Sequence, residues 1–338
     1  MAQLKKSETP AMDFDVLLVG EALIDLISEE FVSSLSDAQG FRRFIGGEVT
    51  NVALNLARLG GRAAIAACVG DDGFGHYIQR QLELANVNTD CLHVTSHAPT
   101  TVAINARQTS TPDFIIYRGA DALIPADDRL PKIVAASRGV HTSAFALARE
   151  PARSVILRSL ESAHESGRLV SPDPNYHRCI WPDVADFTAI LKEVYCWVDV
   201  TKPSWDDCIR LFGPGLAPED YARRFMEWGP TIVALTMGAE GVLLAIADAG
   251  FFHIEPTTVP VADITGAGDA FWAGLLLGLL DGLSPQEAAC VGQMVAEIKI
   301  GQVGPVTHMP DRADLYELLE TTPYECKPLA SVTGDASS

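Results

Sequence analysis

Asp263-Ile264-Thr265-Gly266-Ala267-Gly268-Asp269 leads without a break into Ala270-Phe271-Trp272-Ala273-Gly274-Leu275-Leu276-Leu277. The small residues at 266–268 let consecutive backbone N–H groups turn toward one point, and the apolar run after them reads as a helix. Those amides then sit at the positive end of the helix, where an anion is stabilised. A carboxylate beside such an anion hole is placed to take a proton from a hydroxyl that attacks a phosphoryl group. On these residues alone, Asp269 also reads as an ordinary helix-start aspartate, a favoured place for that side chain. The chain has no G-x-x-x-x-G-K-S/T, which excludes a P-loop. It has no G-x-G-x-x-G after its first strand, which counts against a dinucleotide fold.

On the N-terminal side of this segment, strand-like and helix-like stretches alternate, which favours a parallel sheet covered by helices. Asp15 to Gly20 is a short apolar run ending in glycine, suited to a buried first strand, and Arg62 to Val69 reads as a second. Thr50 to Leu59 and Gly75 to Ala85 carry apolar residues at helical spacing. Further strands are expected at 139–141, 169–171, 198–200 and 231–236. Thr100 to Arg107 and Phe114 to Arg118, separated by the turn-rich 108–113, predict an antiparallel hairpin. It reads as a small sheet projecting over a site as a lid. The expected organisation is one α/β domain over 14–322, three layers around a mainly parallel sheet. Lid segments fall at about 22–45 and 98–120, and 1–13 and 323–338 read as flexible tails.

Composition limits the partners. The 338 residues carry a formal net charge of −19, and 48% of them are hydrophobic. That balance suits a globular protein with a sizeable core, and it argues against nucleic acid and membrane surfaces as partners. A nucleotide stays compatible with acidity, because backbone N–H groups and a metal ion hold phosphates. The seven cysteines are scattered with no C-x-x-C pair, as in a reducing compartment. No signal peptide is evident at the N-terminus, and the apolar stretch from Phe271 to Leu280 is too short to span a bilayer. A cytoplasmic location is expected.

A second segment, Ile45-Gly46-Gly47-Glu48-Val49-Thr50-Asn51-Val52-Ala53, lies far upstream. Together with Asp263–Asp269 and the following apolar helix, it resembles the paired signatures of the ribokinase-like (PfkB-type) carbohydrate kinases. The resemblance runs from about Val16 to Pro310 and takes in Gly20 to Asp25, Val69 to Gly75 and the closing Gly304 and Pro310. It implies that Asp269 is the catalytic base and that the amides of Gly266, Ala267 and Gly268 hold the transferring phosphoryl group. It places Asp25, Gly46, Gly47 and Asn51 against the sugar. A carboxylate accepts from two hydroxyls at once, and glycines permit close backbone approach.

On the nucleotide side the resemblance implicates Thr236, Gly238 and Gly241, with Thr265, Gly266 and Gly268 of the signature and Lys202. Ser204 and Asp207 stand where many relatives carry Asn-x-x-Glu, which implies a water-mediated magnesium role for Asp207; a helix cap at Ser204 explains the same residues. Gln293 falls where relatives often have an adenine-contacting Asn. A monovalent cation such as potassium is expected beside Asp263. Phe114 to Asp121, with Arg118, and Asp173-Pro174-Asn175 with Trp181 resemble fructokinases most. Arg118, Asp173 and Asn175 are therefore expected at the sugar. Where relatives carry Arg two residues after that Asn, this chain has His177. The implied reaction is transfer from MgATP to a primary hydroxyl of a hexose, with fructose as the leading acceptor. The other readings are a 2-keto-3-deoxygluconate kinase and a kinase-like sugar-binding regulatory module. A homodimer through the lid is expected.

Overall fold

The computed structural model describes residues 12–107, 113–302, 309–321 and 324–329. The predicted hairpin turn at 108–112 and Gly304 lie outside them. Fourteen strands occur among the described residues: β1 Phe14–Val19, β2 Leu23–Phe31, β3 Phe41–Gly46, β4 Ala63–Gly70, β5 Asn88–Thr95, β6 Val102–Arg107, β7 Phe114–Tyr117, β8 Ser137–Ser143, β9 Leu169–Asp173, β10 Val200–Thr201, β11 Ile232–Thr236, β12 Val242–Ile246, β13 Gly250–Ile254 and β14 Cys326–Pro328. The helices that bear on the site are α1 Glu48–Arg58, α2 Gly73–Leu84 and, after a run of five covering helices between 130 and 226, α8 Ala267–Leu280 and α9 Pro285–Ile300.

One sheet has the order β5-β4-β1-β8-β9, parallel throughout. A second runs β10-β11-β12-β13-β14, parallel at β10–β11 and antiparallel beyond. Asp199 stitches the two together: its N–H donates to the Val170 carbonyl at 3.0 Å, and its carboxylate accepts from Val170 N–H at 2.8 Å. β4 is buried along its whole length, as a strand covered by helices on both faces must be.

The predicted hairpin is present, with Val102 opposite Tyr117 in an antiparallel β6–β7 pair. It belongs to a separate four-stranded sheet of order β3-β2-β6-β7. Most of the two expected tails falls outside the described residues. One part of the C-terminal tail needs correction: Cys326–Pro328 pairs with β13 as an edge strand. Cys326 packs on the core there, and Tyr324 donates to Glu297 on α9.

α8 is apolar all round because it is enclosed, with Phe271, Trp272, Leu275 and Leu276 all but inaccessible. Gly274 interrupts this run for a packing reason. A Cβ there would meet the Val291 carbonyl at 2.8 Å and the Gly292 backbone at 2.9 Å, so the glycine sets how closely α8 and α9 cross.

Candidate active site

The quoted loop becomes the N-terminus of α8. Gly266 takes a left-handed conformation (φ 76°), and no side chain caps the helix. Thr265 N–H donates to Asp263 Oδ1 at 3.0 Å, which sets the start of the turn. Ala267 departs from expectation: its N–H is engaged by the Ile264 carbonyl at 3.2 Å. No hydrogen bond from the Gly266 or Gly268 N–H occurs among the described residues, so of the three expected amides these two are open to an anion.

Asp269, in the first turn of α8, accepts from Asn51 Nδ2 at 2.8 Å. The two signatures therefore meet side chain to side chain, 218 residues apart in sequence. Asp25, on β2 of the small sheet, faces the same cleft, which is lined by Asp25, Asn51, Asp263, Thr265, Gly266 and Lys299 among others. Asp25 Oδ1 accepts from Asn105 Nδ2 at 3.1 Å. Asn105 was not anticipated. The signal available was the alternation of Ala103, Asn105 and Arg107 along β6, which puts a polar side chain on one face of the sheet.

Gly46 and Gly47 were expected to open space for the sugar; the structure gives that space to the protein's own acids. A Cβ at Gly46 would stand 2.2 Å from Asp25 Oδ2, and one at Gly47 (φ 94°) would stand 2.8 Å from the Glu21 carbonyl. Gly46 leaves room for the Asp25 carboxylate, and Gly47 for the Glu21 backbone carbonyl.

Burial pushes the Asp25 carboxyl up to about 7, with Asn105 opposing and the Asp269 charge adding to it. Burial likewise raises Asp269 to about 6, against the Asn51 hydrogen bond and Lys202. A base must be ionised to act. With saturating acceptor, kcat should therefore fall along a single limb as pH drops through about 6, set by Asp269. The acceptor's kcat/KM should begin to fall nearer pH 7, because Asp25 also titrates in the free enzyme. Initial rates from pH 5 to 9 check this, and a flat profile would remove Asp269 from the base's role.

Lys202 lies under the anion hole. Its Nζ is 3.0 Å from Asp173 Oδ2 and would be 3.3 Å from a Cβ at Gly268. Burial works against the ammonium, and Asp173, Asp207 and Asp269 together more than offset it, so the net direction is toward the charged form. Asp173 was expected at the sugar; the structure gives its carboxylate protein partners. Its Oδ2 also takes Trp272 Nε1–H at 2.7 Å, and its Oδ1 takes Asn175 N–H at 2.9 Å. It is a buried anchor for Lys202. Asn175 itself is exposed in a left-handed turn (φ 32°).

Asp207, expected at magnesium through water, has partners within the protein. It forms a capping box with Ser204, and its Oδ1 accepts Tyr176 N–H at 3.0 Å. Both oxygens are engaged within the protein, so the helix-cap explanation holds at this position. Arg118 is buried in a pair with Asp121, with Nε at 2.9 Å, over the Phe145 ring. Its Nη1 has no partner among the described residues.

Thr236 ends β11 and is bridged to Ser204, and exposed Gly238 starts the short turn up to Gly241. A side chain at Gly241 (φ 80°) would strike the Ile254 carbonyl at 2.1 Å. The surface from Gly238 to Glu240 is exposed. Gln293 is buried and donates to Glu297 at 2.7 Å, so its amide is engaged within α9.

Over residues 13–312 the sequence matches the model of the pfkB family carbohydrate kinases. The chain belongs to this family. As a family member it is a phosphotransferase with an alcohol group as acceptor, built on the ribokinase-like α/β fold. It is 33% identical over 300 residues to an ATP-dependent 6-phosphofructokinase of Thermoanaerobacterium thermosaccharolyticum, covering 88% of this chain and 91% of that one. The fructokinase of Halothermothrix orenii superposes with a TM-score of 0.73 at 36% identity, over 85% of this chain and 98% of that one. An uncharacterised sugar kinase of Pyrococcus horikoshii, solved in complex with ATP, gives a TM-score of 0.76 at 27% identity, over 89% and 97%. Among the described residues, no helix is long and apolar enough to cross a membrane.

Proposed function

We propose that this kinase transfers the γ-phosphoryl group of MgATP to a primary hydroxyl of a hexose, with fructose as acceptor. The observation that carries this is the Asn51–Asp269 hydrogen bond at the edge of a cleft lined by Asp25 and Asn51, with Lys202 Nζ close beside Gly268. Asp25 accepts from sugar hydroxyls and orients the ring. Asp269 takes the proton of the attacking hydroxyl as its oxygen bonds to the γ-phosphorus and the bond to the β-phosphate oxygen breaks. The N–H groups of Gly266 and Gly268, with the Lys202 ammonium, stabilise the charge on the phosphoryl oxygens. No covalent enzyme intermediate is needed.

Magnesium, when bound, would supply the positive charge that neutralises the phosphates. Asp207 is engaged as a cap, and among the described residues no group of three His, Cys, Asp or Glu side chains is gathered for an ion. The donor set suits an ion held chiefly by the nucleotide and water. The sheet β3-β2-β6-β7 excludes water on closing, since water would otherwise accept the phosphoryl group. Its exposed Phe31, Phe41, Ile115 and Tyr117 support the homodimer as part of the same reading.

The likeness to the Halothermothrix orenii fructokinase supports a fructose unit as acceptor, and that to the 6-phosphofructokinase keeps fructose 6-phosphate as a second reading. The unpartnered Nη1 of Arg118 leaves a donor for a sugar oxygen or a carboxylate. An ADP-release assay with fructose, fructose 6-phosphate, 2-keto-3-deoxygluconate, ribose and adenosine, run with and without potassium, decides the acceptor. Fructose should give the highest kcat/KM. A tenfold preference for either anionic compound would replace it, and no turnover of any would favour a binding module.

A further inference from the structure

Behind the catalytic side chains lies a buried polar chain that phosphoryl transfer does not itself require. Glu48, in the first turn of α1, places Oε1 2.8 Å from His141 Nε2, and His141 Nδ1 lies 2.8 Å from Ser171 Oγ. The Glu48 N–H donates to Glu21 Oε1 at 2.9 Å, and Glu21 Oε2 takes the Ser143 hydroxyl at 2.7 Å. The His141 ring meets the edge of Trp272 at 4.7 Å, and Trp272 anchors Asp173 beneath Lys202. One helical turn after Glu48 comes Asn51, the donor to Asp269.

Glu48 Oε2 is buried and has no hydrogen-bond partner among the described residues. An ionised carboxylate would leave a charged oxygen bare in the interior, whereas the carbonyl oxygen of a neutral acid bears such a place at far lower cost. We propose that Glu48 is a positioning residue for the phosphoryl transfer: a neutral carboxylic acid that donates its proton to His141 Nε2 and so fixes the turn that aims Asn51 at Asp269. His141 then carries its own hydrogen on Nδ1 and donates to Ser171.

The surroundings agree. Glu48 is faced by Asp173 at the end of β9, Asp269 on α8, Glu21 after β1, and one cation, Lys202. Burial first, then those three carboxylates, raise its carboxyl well above the usual range. Burial and Lys202 push His141 down to about 3, so the imidazole is neutral at physiological pH. A neutral Glu48 also spares Asp269 a further negative neighbour.

The inference rests on the kinase reading, but its first test does not. In the ¹⁵N NMR spectrum of the intact protein, His141 should show a protonated Nδ1 and an unprotonated Nε2, unchanged from pH 6 to 8. A protonated Nε2, as either the other tautomer or imidazolium, would overturn the proposal. Kinetics supply the second test. Glu48→Gln keeps a neutral donor and should hold kcat within about threefold, with the acid limb unmoved. Glu48→Leu should lower kcat about tenfold or more, with a smaller change in acceptor KM. A downward shift of the acid limb in Glu48→Gln would show that an ionised carboxylate had been removed. That result, or a Glu48→Leu enzyme matching the parent, would sink the proposal.

Discussion

Asp269→Asn is expected to lower kcat by about 10²–10⁴-fold, the range a positioned general base contributes. The amide keeps the shape of the side chain, and its oxygen still accepts from Asn51 Nδ2, now at 2.8 Å from Asp269. What it lacks is basicity. The substitution removes a buried carboxylate whose ionisation burial opposes, so thermal stability at pH 7.5 should stay level or rise slightly. The acceptor's affinity, measured by calorimetry with a non-hydrolysable ATP analogue, should stay within a few-fold, since Asp25 and Asn105 are untouched. A folded Asp269→Asn protein turning over within tenfold of the parent would mean that another group takes the proton.

The legible part of this site was the part encoded in short contiguous patterns. A glycine-rich turn before an apolar helix announces an anion hole, and Gly46-Gly47 before Asn51 announces a second helix start. Their pairing, however, spans 218 residues, and only the family resemblance placed them together. What the sequence did not reveal is where a side chain has a partner within the protein. Asp173, Asp207 and the space beside Gly46 are occupied by Lys202, Ser204 and Asp25, all protein groups. Arg118 and Asp121 stood in one quoted segment, yet nothing in its pattern distinguishes a buried pair from a substrate contact.

The network through Glu21, Glu48 and His141 was illegible for a related reason. Its links join positions 27, 93 and 122 residues apart, and a lone histidine in a buried strand carries no periodic signal. The first sheet followed from its β1 and β4 runs, and the start of the second from β11. β12 to β14 were missed because antiparallel pairing at the edge interrupts the βα alternation that guided the reading.

Lys202→Met should be the other severe substitution, and it separates folding from catalysis. The parent pair is buried on both sides, with side chains 5% and 7% exposed. Removing the ammonium leaves Asp173 as an uncompensated buried charge, a change that typically costs about 3–5 kcal/mol. Trp272 Nε1–H and Asn175 N–H remain to hold the carboxylate, so the lower end of that range is expected. Activity should fall further than stability explains, by about 10²-fold or more, because the cation nearest Gly268 is gone when phosphoryl charge develops. The double variant Lys202→Met with Asp173→Asn removes both charges, and a buried pair replaced by neutral groups is often close to neutral in stability. Denaturant melts should therefore show the double variant recovering most of the lost stability, while its kcat stays as low as that of Lys202→Met alone. If kcat recovered together with stability, Lys202 would be a structural counter-ion for Asp173 and not part of the phosphoryl site.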